Sequence, residues 1–295
     1  MTEAGLVRTR FAPSPNGWLH LGHARSALYA SVLAQRLGGR FLVRIEDIDV
    51  TRTREEFVTG IFEDLNWLGL NWERPVLRQS EHFMTYQAAA ERLRQSGVLY
   101  RCFASRSEIA AATPSGARRD PDGQPLYPGL HRDLSDDEQE ARISRGEPFA
   151  WRLDMQKATG IARQVAGKWP PTYRAWQPNG DLMLTAANPE VWGDAVIVRK
   201  DVPASYHLAV VVDDARQGVS HVTRGVDLEP ATGLHRLLQV LLGLPEPIYC
   251  HHDLILDMDG AKLSKSAGAQ SLGELRAAGY SAAQVSEICG CKTPM

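Results

Sequence analysis

Residues 10–24, "RFAPSPNGWLHLGHA", place two histidines three positions apart behind a break in the chain. Pro13 and Pro15 fix φ and remove two N–H donors, and Gly17 accepts conformations that other residues avoid, so the chain must turn there. From Leu21 onward, Leu21, Ala24, Leu28 and Val32 recur at helical spacing. The first N–H groups of such a helix have no partner inside it and carry partial positive charge, which suits a phosphate. His20 and His23 then share one helical face, from which they can donate hydrogen bonds to phosphate oxygens that gain charge in a transition state. Gly22 between them would let an adenine or ribose come close to the backbone. The plain alternative is two surface histidines beside a Pro-rich turn. It explains a lone histidine better than it explains His-x-Gly-His after a strand.

A second basic element lies far downstream. Lys262-Leu263-Ser264-Lys265-Ser266 follows the turn residues Asp259-Gly260. Lys262 and Lys265 could close over a triphosphate and neutralise pyrophosphate as it departs. Lysine–serine loops are usually solvated tips, so this element gains meaning as the distant partner of the first.

These groups need a scaffold. Residues 6–11 read as a short strand, and the helix from Leu21 meets a stop at Gly38-Gly39. Next, Phe41, Val43 and Ile45 alternate with Leu42, Arg44 and Glu46, as a strand requires. Strand, helix, strand in this span is a βαβ unit, which implies a parallel sheet with a right-handed crossover. Further helices are expected around Phe57, Ile61, Leu65 and Leu68, over 81–96, and over 230–242. Residues 113–133 are rich in Pro, Gly, Asp and Arg and predict a loop-rich insertion. Residues 149–153, 195–198 and 219–224 predict strands, while 206–212, "YHLAVVV", fits a buried helix or a strand equally well. Two short helical patterns, 272–278 and 281–288, follow the lysine loop.

The 295 residues allow one large domain, or a main domain with a smaller insert, and 43% apolar content suffices for a real core. No apolar run approaches the ~18 residues of a membrane span, and "MTEAGLVRTR" has no signal-peptide apolar region, so a cytoplasmic enzyme with no membrane partner is expected. A net charge of −2, from 33 Lys+Arg and 35 Asp+Glu, excludes a non-specific nucleic-acid coat but leaves room for a local basic track. Of Cys102, Cys250, Cys289 and Cys291, only the last two are close in sequence, and Cys-Gly-Cys is too tight for an ordinary disulfide framework. Reduced thiols and a monomer are the default expectations.

The two basic elements resemble the HIGH and KMSKS signatures of the class I aminoacyl-tRNA synthetases. The surroundings, "LVRIEDID", "SYHLAVVVDD", "GVSHVTRGVDL" and "LLGLPEPIY", are similar to the glutamyl branch, in order, from about residue 8 to 266. The stretch after Ser266 is too short for the helical anticodon-binding domain of a full synthetase, and this truncated form resembles the glutamyl-queuosine tRNA(Asp) synthetases. The resemblance implies an α/β, Rossmann-type doubly wound parallel sheet. It is split into 1–100 and 191–266, with an insertion over 101–190 and a short helical tail over 267–295. It also implies tRNA-independent activation of L-glutamate with ATP and Mg²⁺. The glutamate then passes to queuosine in the anticodon loop of tRNA(Asp). A glutamyl-tRNA synthetase catalytic fragment charging a 3′ end, or a non-catalytic RNA-binding relative, are the alternatives.

Glutamate offers two carboxylates and an ammonium. Arg10 and Arg224 are assigned to the carboxylates, because a planar fork makes bidentate contacts that lysine does not reproduce. Glu46 is assigned to the ammonium, Tyr206 supplies a hydroxyl and a ring wall, and Phe11, Ala12, Pro13 and Ser14 supply backbone and side chains. His20, Gly22, His23 and Lys265 fall to ATP. A solvated acidic strand end is the bland reading of Arg44, Glu46, Asp47 and Asp49.

Some members of the resembled family hold zinc through Cys-x-Cys and a later Tyr-x-x-x-Cys. Here Cys102 and Tyr127 remain, Ala104 stands in place of one sulfur, and His131 in place of the last cysteine. Three unlike ligands make a poor tetrahedral site, so the insertion is expected to fold without tight zinc. Cys289 and Cys291 are not recruited.

Overall fold

The computed structural model describes residues 5–167, 169–177, 179–256 and 270–291. The chain begins β1 (Arg8–Phe11), α1 (Leu21–Arg36), β2 (Arg40–Ile45), α2 (Glu55–Trp67), β3 (Glu73–Arg78), α3 (Phe83–Gln95) and β4 (Leu99–Cys102). Next come α4 (Arg106–Ala112), α5 (Asp136–Ser144), β5 (Ala150–Leu153), α6 (Met155–Ala166), β6 (Thr172–Trp176), β7 (Leu182–Ala186) and β8 (Val196–Val198). It closes with α7 (Tyr206–Arg216), β9 (His221–Gly225), α8 (Ala231–Leu242), β10 (Ile248–His252), α9 (Leu272–Ala277) and α10 (Ala282–Ile288).

β1, β2 and β3 pair in parallel with β2 central, and Phe11 lies opposite Val43. A second parallel set has β10 between β9 and β6, with His251 opposite Arg224, and β7 turns back antiparallel on β6. The two sets meet along β1 and β9, where Ser220 N donates to Arg8 O at 3.0 Å and Arg10 Nη1 to Thr223 O at 2.7 Å. Read across that seam the order is β3-β2-β1-β9-β10-β6-β7. This is the doubly wound arrangement, and its strand order reverses between β1 and β9. Within the span 101–190, β5 pairs antiparallel with β4 and β8, whereas β6 belongs to the main sheet.

Alternation along β2 explains the layers. Val43 and Ile45 enter an apolar core with Ala24, Leu28, Val58 and Ile61 from α1 and α2. Arg44, pointing the other way, reaches Asp214 on α7. A second core joins α3, α6, α7 and α8 through Leu93, Ala158, Leu208 and Leu237. Leu272, Leu275, Val285 and Cys289, from the last two helices, return to the α1 core.

The ambiguous run 206–212 is helix α7. Ser205 Oγ accepts from Leu208 N to cap it, and residues 208–214 are all buried, so the run shows no amphipathic stripe. β3, β6 and β10 carry no legible period, since Pro75 interrupts one and Arg174, His251 and His252 stud the others. Among the described residues no helix is long and apolar enough to cross a membrane.

Candidate active site

A cleft of about 720 Å³ opens beyond the carboxyl ends of β1 and β9. It is lined by Arg10, Phe11, Ala12, Pro13, Ser14, His20, Gly22, His23, Glu46, Tyr206 and Arg224, so the strand reversal gathers every expected site residue that is described. Lys262 and Lys265 lie outside the described residues. Their described flanks approach the same turn: Ile255 lines the cleft, Ser271 bridges to His20, and Leu272 N donates to Leu19 O at 2.8 Å. Asn16, Arg25, Ser26, Asp227 and His252 also line the cleft, with no sequence signal of their own.

The HIGH-like turn is held by its own histidines. His20 is the N-cap of α1, and its Nδ1 accepts from Gly22 N at 3.1 Å. His23 Nδ1 accepts in return from His20 N at 3.2 Å, which completes a capping box built from two imidazoles. An Nδ1 that accepts leaves the proton on Nε2, so both rings carry an Nε2–H donor. Gly22 also serves the cap. A Cβ there would stand 3.0 Å from His20 Cε1, so the glycine makes room for the capping ring. At the opposite wall, a Cβ on Gly225 would run into Asp227 Oδ1 and stand 2.8 Å from Leu254 Cδ2, two residues that shape the cleft.

Arg10 does not present an open fork. Its Nε and Nη2 meet Asp214 Oδ1 and Oδ2 at 3.0 and 3.3 Å, and Nη1 donates to the Thr223 carbonyl. One N–H on each terminal nitrogen remains for a ligand. Asp214 also receives Arg44 Nη1 at 2.7 Å, and Arg44 Nη2 reaches Glu46 Oε1 at 3.0 Å. Glu46, Arg44, Asp214 and Arg10 thus form a ladder of alternating charge under the cleft floor. Arg44 is fully buried and Asp47 is held by Ser80 and Arg78, so this strand end is not a solvated acidic tip. Burial works to raise the Asp214 carboxyl, yet Arg10 and Arg44 outweigh it and hold it below its ordinary value. Burial raises Glu46, with Arg44 opposing, and raises Asp213 beside it, whose Oδ1 has no hydrogen-bond partner. The sequence hid the role of Asp214. Its one signal was a pair of acids ending an otherwise apolar helix.

Arg224 is held differently. Its Nη2 donates to Thr232 Oγ1 at 2.6 Å, Nη1 meets His235 Nδ1 at 3.1 Å, and Nε donates to His251 Nε2 at 3.3 Å. Its guanidinium carbon lies 5.2 Å from the Tyr249 ring centre. Only 4% of Arg224 is exposed, and among the described residues it has no carboxylate partner. Burial, with Arg224 adding to it, lowers His235 well below its ordinary value and His251 to about 3, so both stay neutral acceptors at pH 7. Burial also keeps the Tyr206 phenol protonated.

The zinc residues of the insertion satisfy one another instead. Cys102 Sγ donates to Tyr127 Oη at 3.3 Å, and His131 Nδ1 accepts from Phe103 N and Ala104 N at 3.0 and 3.1 Å. His131 Nδ1 is thus turned onto the backbone, and a methyl group stands at Ala104. This arrangement does not fit a metal ion, and among the described residues no group of three or more His, Cys, Asp or Glu side chains could hold one. All four cysteines are free and buried.

A family model described as the catalytic domain of class I tRNA synthetases (E and Q) matches residues 6–290. The chain is 45% identical over 290 residues to a protein of Rhodobacter capsulatus named glutamyl-Q tRNA(Asp) synthetase, covering 96% of this chain and 99% of that one. It is 38% identical over 278 residues to a glutamate–tRNA ligase of Prochlorococcus marinus, covering 94% of this chain. It spans 56% of that ligase, about half its length. The crystal structure of a glutamate tRNA ligase from Elizabethkingia meningosepticum in complex with its amino acid superposes with a TM-score of 0.68 at 29% identity, covering 89% of this chain and 52% of that one.

Proposed function

The chain belongs to the class I tRNA synthetase catalytic-domain family for glutamate and glutamine, and from that premise we propose that it is a ligase that activates L-glutamate with ATP and transfers it to the queuosine base of tRNA(Asp). The activation step is proposed to need no tRNA. The relative named glutamyl-Q tRNA(Asp) synthetase, matched over 99% of its length, supports this acceptor over a tRNA 3′ end. The observation that carries the amino-acid assignment is Arg224, a buried cation with no described carboxylate beside it, at the wall of the cleft. A ligand carboxylate supplies the missing charge.

The chemistry needs no protein nucleophile. The glutamate α-carboxylate oxygen attacks the α-phosphorus of ATP, and the bond from that phosphorus to the bridging oxygen breaks to release pyrophosphate. A hydroxyl of the cyclopentene-diol then attacks the acyl carbon, AMP leaves, and the hydroxyl proton passes to solvent. The protein contributes position and charge. The Nε2–H groups of His20 and His23 are assigned to phosphate oxygens, Arg224 and the two remaining N–H groups of Arg10 to glutamate carboxylates. Glu46 takes the ammonium and Tyr206 closes the side of the pocket. Among the described residues the lining holds two carboxylates, Glu46 and Asp227, and Mg²⁺ is proposed to ride on the ATP phosphates, where it would draw off the charge of the leaving group. Lys262 and Lys265 are assigned to the phosphates on the sequence pattern alone.

The deciding experiment is glutamate-dependent ATP–pyrophosphate exchange without RNA, followed by transfer of labelled glutamate. Exchange without RNA and labelling only of queuosine-containing tRNA(Asp) are expected. Labelling of tRNA(Glu) at its 3′ end would move the assignment to a glutamyl-tRNA synthetase, and no exchange under any condition to a non-catalytic relative.

A further inference from the structure

Among the described residues four arginines are buried: Arg10, Arg44, Arg224 and Arg236. Three of them have a carboxylate at hydrogen-bonding distance, Asp214 for Arg10 and Arg44, and Glu246 at 2.9 Å for Arg236. Arg224 is the exception among the described residues, although three of its nitrogens are engaged. Its acceptors are two imidazoles and a hydroxyl.

We propose that His235 is a positioning residue for recognition of the anionic end of the substrate, holding Arg224 in place without neutralising it. Arginine can only donate, so His235 Nδ1 must accept, and the ring proton therefore sits on Nε2. That Nε2 lies 3.2 Å from His207 Nδ1, which accepts it in turn. The His207 ring is packed edge-on against Trp192 at 4.7 Å between centres, and the Trp192 indole N–H is fixed on the Pro230 carbonyl. Arg224, His235 and His207 thus form a one-way line of donors running from the cleft into a packed wall. The line sets the guanidinium plane and contributes no negative charge. An aspartate or glutamate at 235 would hold Arg224 as firmly, but the substrate carboxylate would then meet a cation already paired.

This assignment rests on the glutamate reading above, and the test separates the two. His235→Asn and His235→Asp are nearly equal in size, and each places an oxygen near the former Nδ1. Only the second adds a charge. L-glutamate binding is measured by calorimetry, with KM for glutamate and for ATP and the glutamate-over-glutamine preference from pyrophosphate exchange. His235→Asn is expected to bind glutamate within about threefold of the wild type. His235→Asp is expected to bind it about 10- to 100-fold more weakly and to lose most of the preference over glutamine, with the ATP KM unchanged, because the site then offers no uncompensated charge. A merely structural role would move both variants together and would not touch the preference. Equal glutamate binding by the two variants overturns the proposal. If His235→Asp does not fold, His251→Glu makes the same comparison with His251→Gln from β10, where Arg224 is held by Nε2. A wild-type chain that binds no glutamate overturns the functional reading, and this assignment with it.

Discussion

Arg10 and Asp214 meet as a two-pronged pair, Nε to Oδ1 at 3.0 Å and Nη2 to Oδ2 at 3.3 Å, although they stand 204 positions apart in the chain. The pair ties the end of β1 to the last turn of α7 across the strand reversal, and Arg44 on β2 joins it through the same carboxylate. Asp214 is therefore the common anchor of two cations under the cleft floor. Asp214→Asn keeps the shape but leaves two buried guanidinium groups with one acceptor charge fewer. A loss of about 3–5 kcal/mol is expected. Urea unfolding measures it, and a variant as stable as the wild type would show that the ladder carries no weight in folding.

Arg224→Lys tests the shape of the cation rather than its charge. An ammonium cannot satisfy Thr232, His235 and His251 together and still offer a planar edge to a carboxylate. Glutamate KM should rise about 100-fold while ATP KM stays within about threefold. A parallel rise in both would place Arg224 in the general architecture of the cleft.

His20 carries two duties that substitutions can separate. His20→Ala removes the cap of α1, costing about 1–2 kcal/mol, and with it the Nε2–H donor. His20→Asn restores a cap acceptor near the position of Nδ1 but no donor at Nε2. Stability should therefore recover in the asparagine variant while the exchange rate stays about 100-fold down. Recovery of both would reduce His20 to a cap.

Asp64 is buried on α2, and burial raises its carboxyl to about 6, with Arg276 opposing only in part. Between pH 3.8 and about 6 the folded chain therefore holds a proton that the unfolded chain has lost. Stability from this group is complete below pH 3.8 and falls as pH rises through about 6. Asp64→Asn should stabilise the protein by about 2–3 kcal/mol at pH 7 and by little at pH 4. Melting curves at the two pH values decide it, and a gain of equal size at both would mean that charge burial is not the cause.

Much of the scaffold is legible in the sequence because it is written locally. Pro13, Pro15 and Gly17 mark the turn, the 3.6-residue spacing from Leu21 marks α1, and the alternation from Phe41 to Glu46 marks β2. Where burial is complete the signal disappears. Val210, Val211 and Val212 are each buried, so no periodicity could choose helix over strand, and the Ser205 cap decided the outcome. The site shows the same limit. His20 and His23 answer each other across three residues and can be read from their spacing. Asp214 answers Arg10 and Arg44, and His251 answers Arg224, only through the closed sheet, so Arg10 was assigned to a ligand while its protein partner stayed hidden. Lysines 262 and 265 fall outside the described residues, and their part in the site rests on the motif.

The return of α9 and α10 to the core of α1 bears on how the protein folds. Leu272, Leu275, Val285 and Cys289 fill the same apolar cluster as Ala24 and Leu28, Leu272 hangs on the Leu19 carbonyl, and Arg25 holds the Cys289 carbonyl at 2.9 Å. The core of the first βαβ unit is therefore closed by residues more than 200 positions further along the chain, a contact of high sequence separation. α1, which His20 caps, is thus fully packed only once that long-range contact has formed, although the capping box of His20 and His23 is itself local.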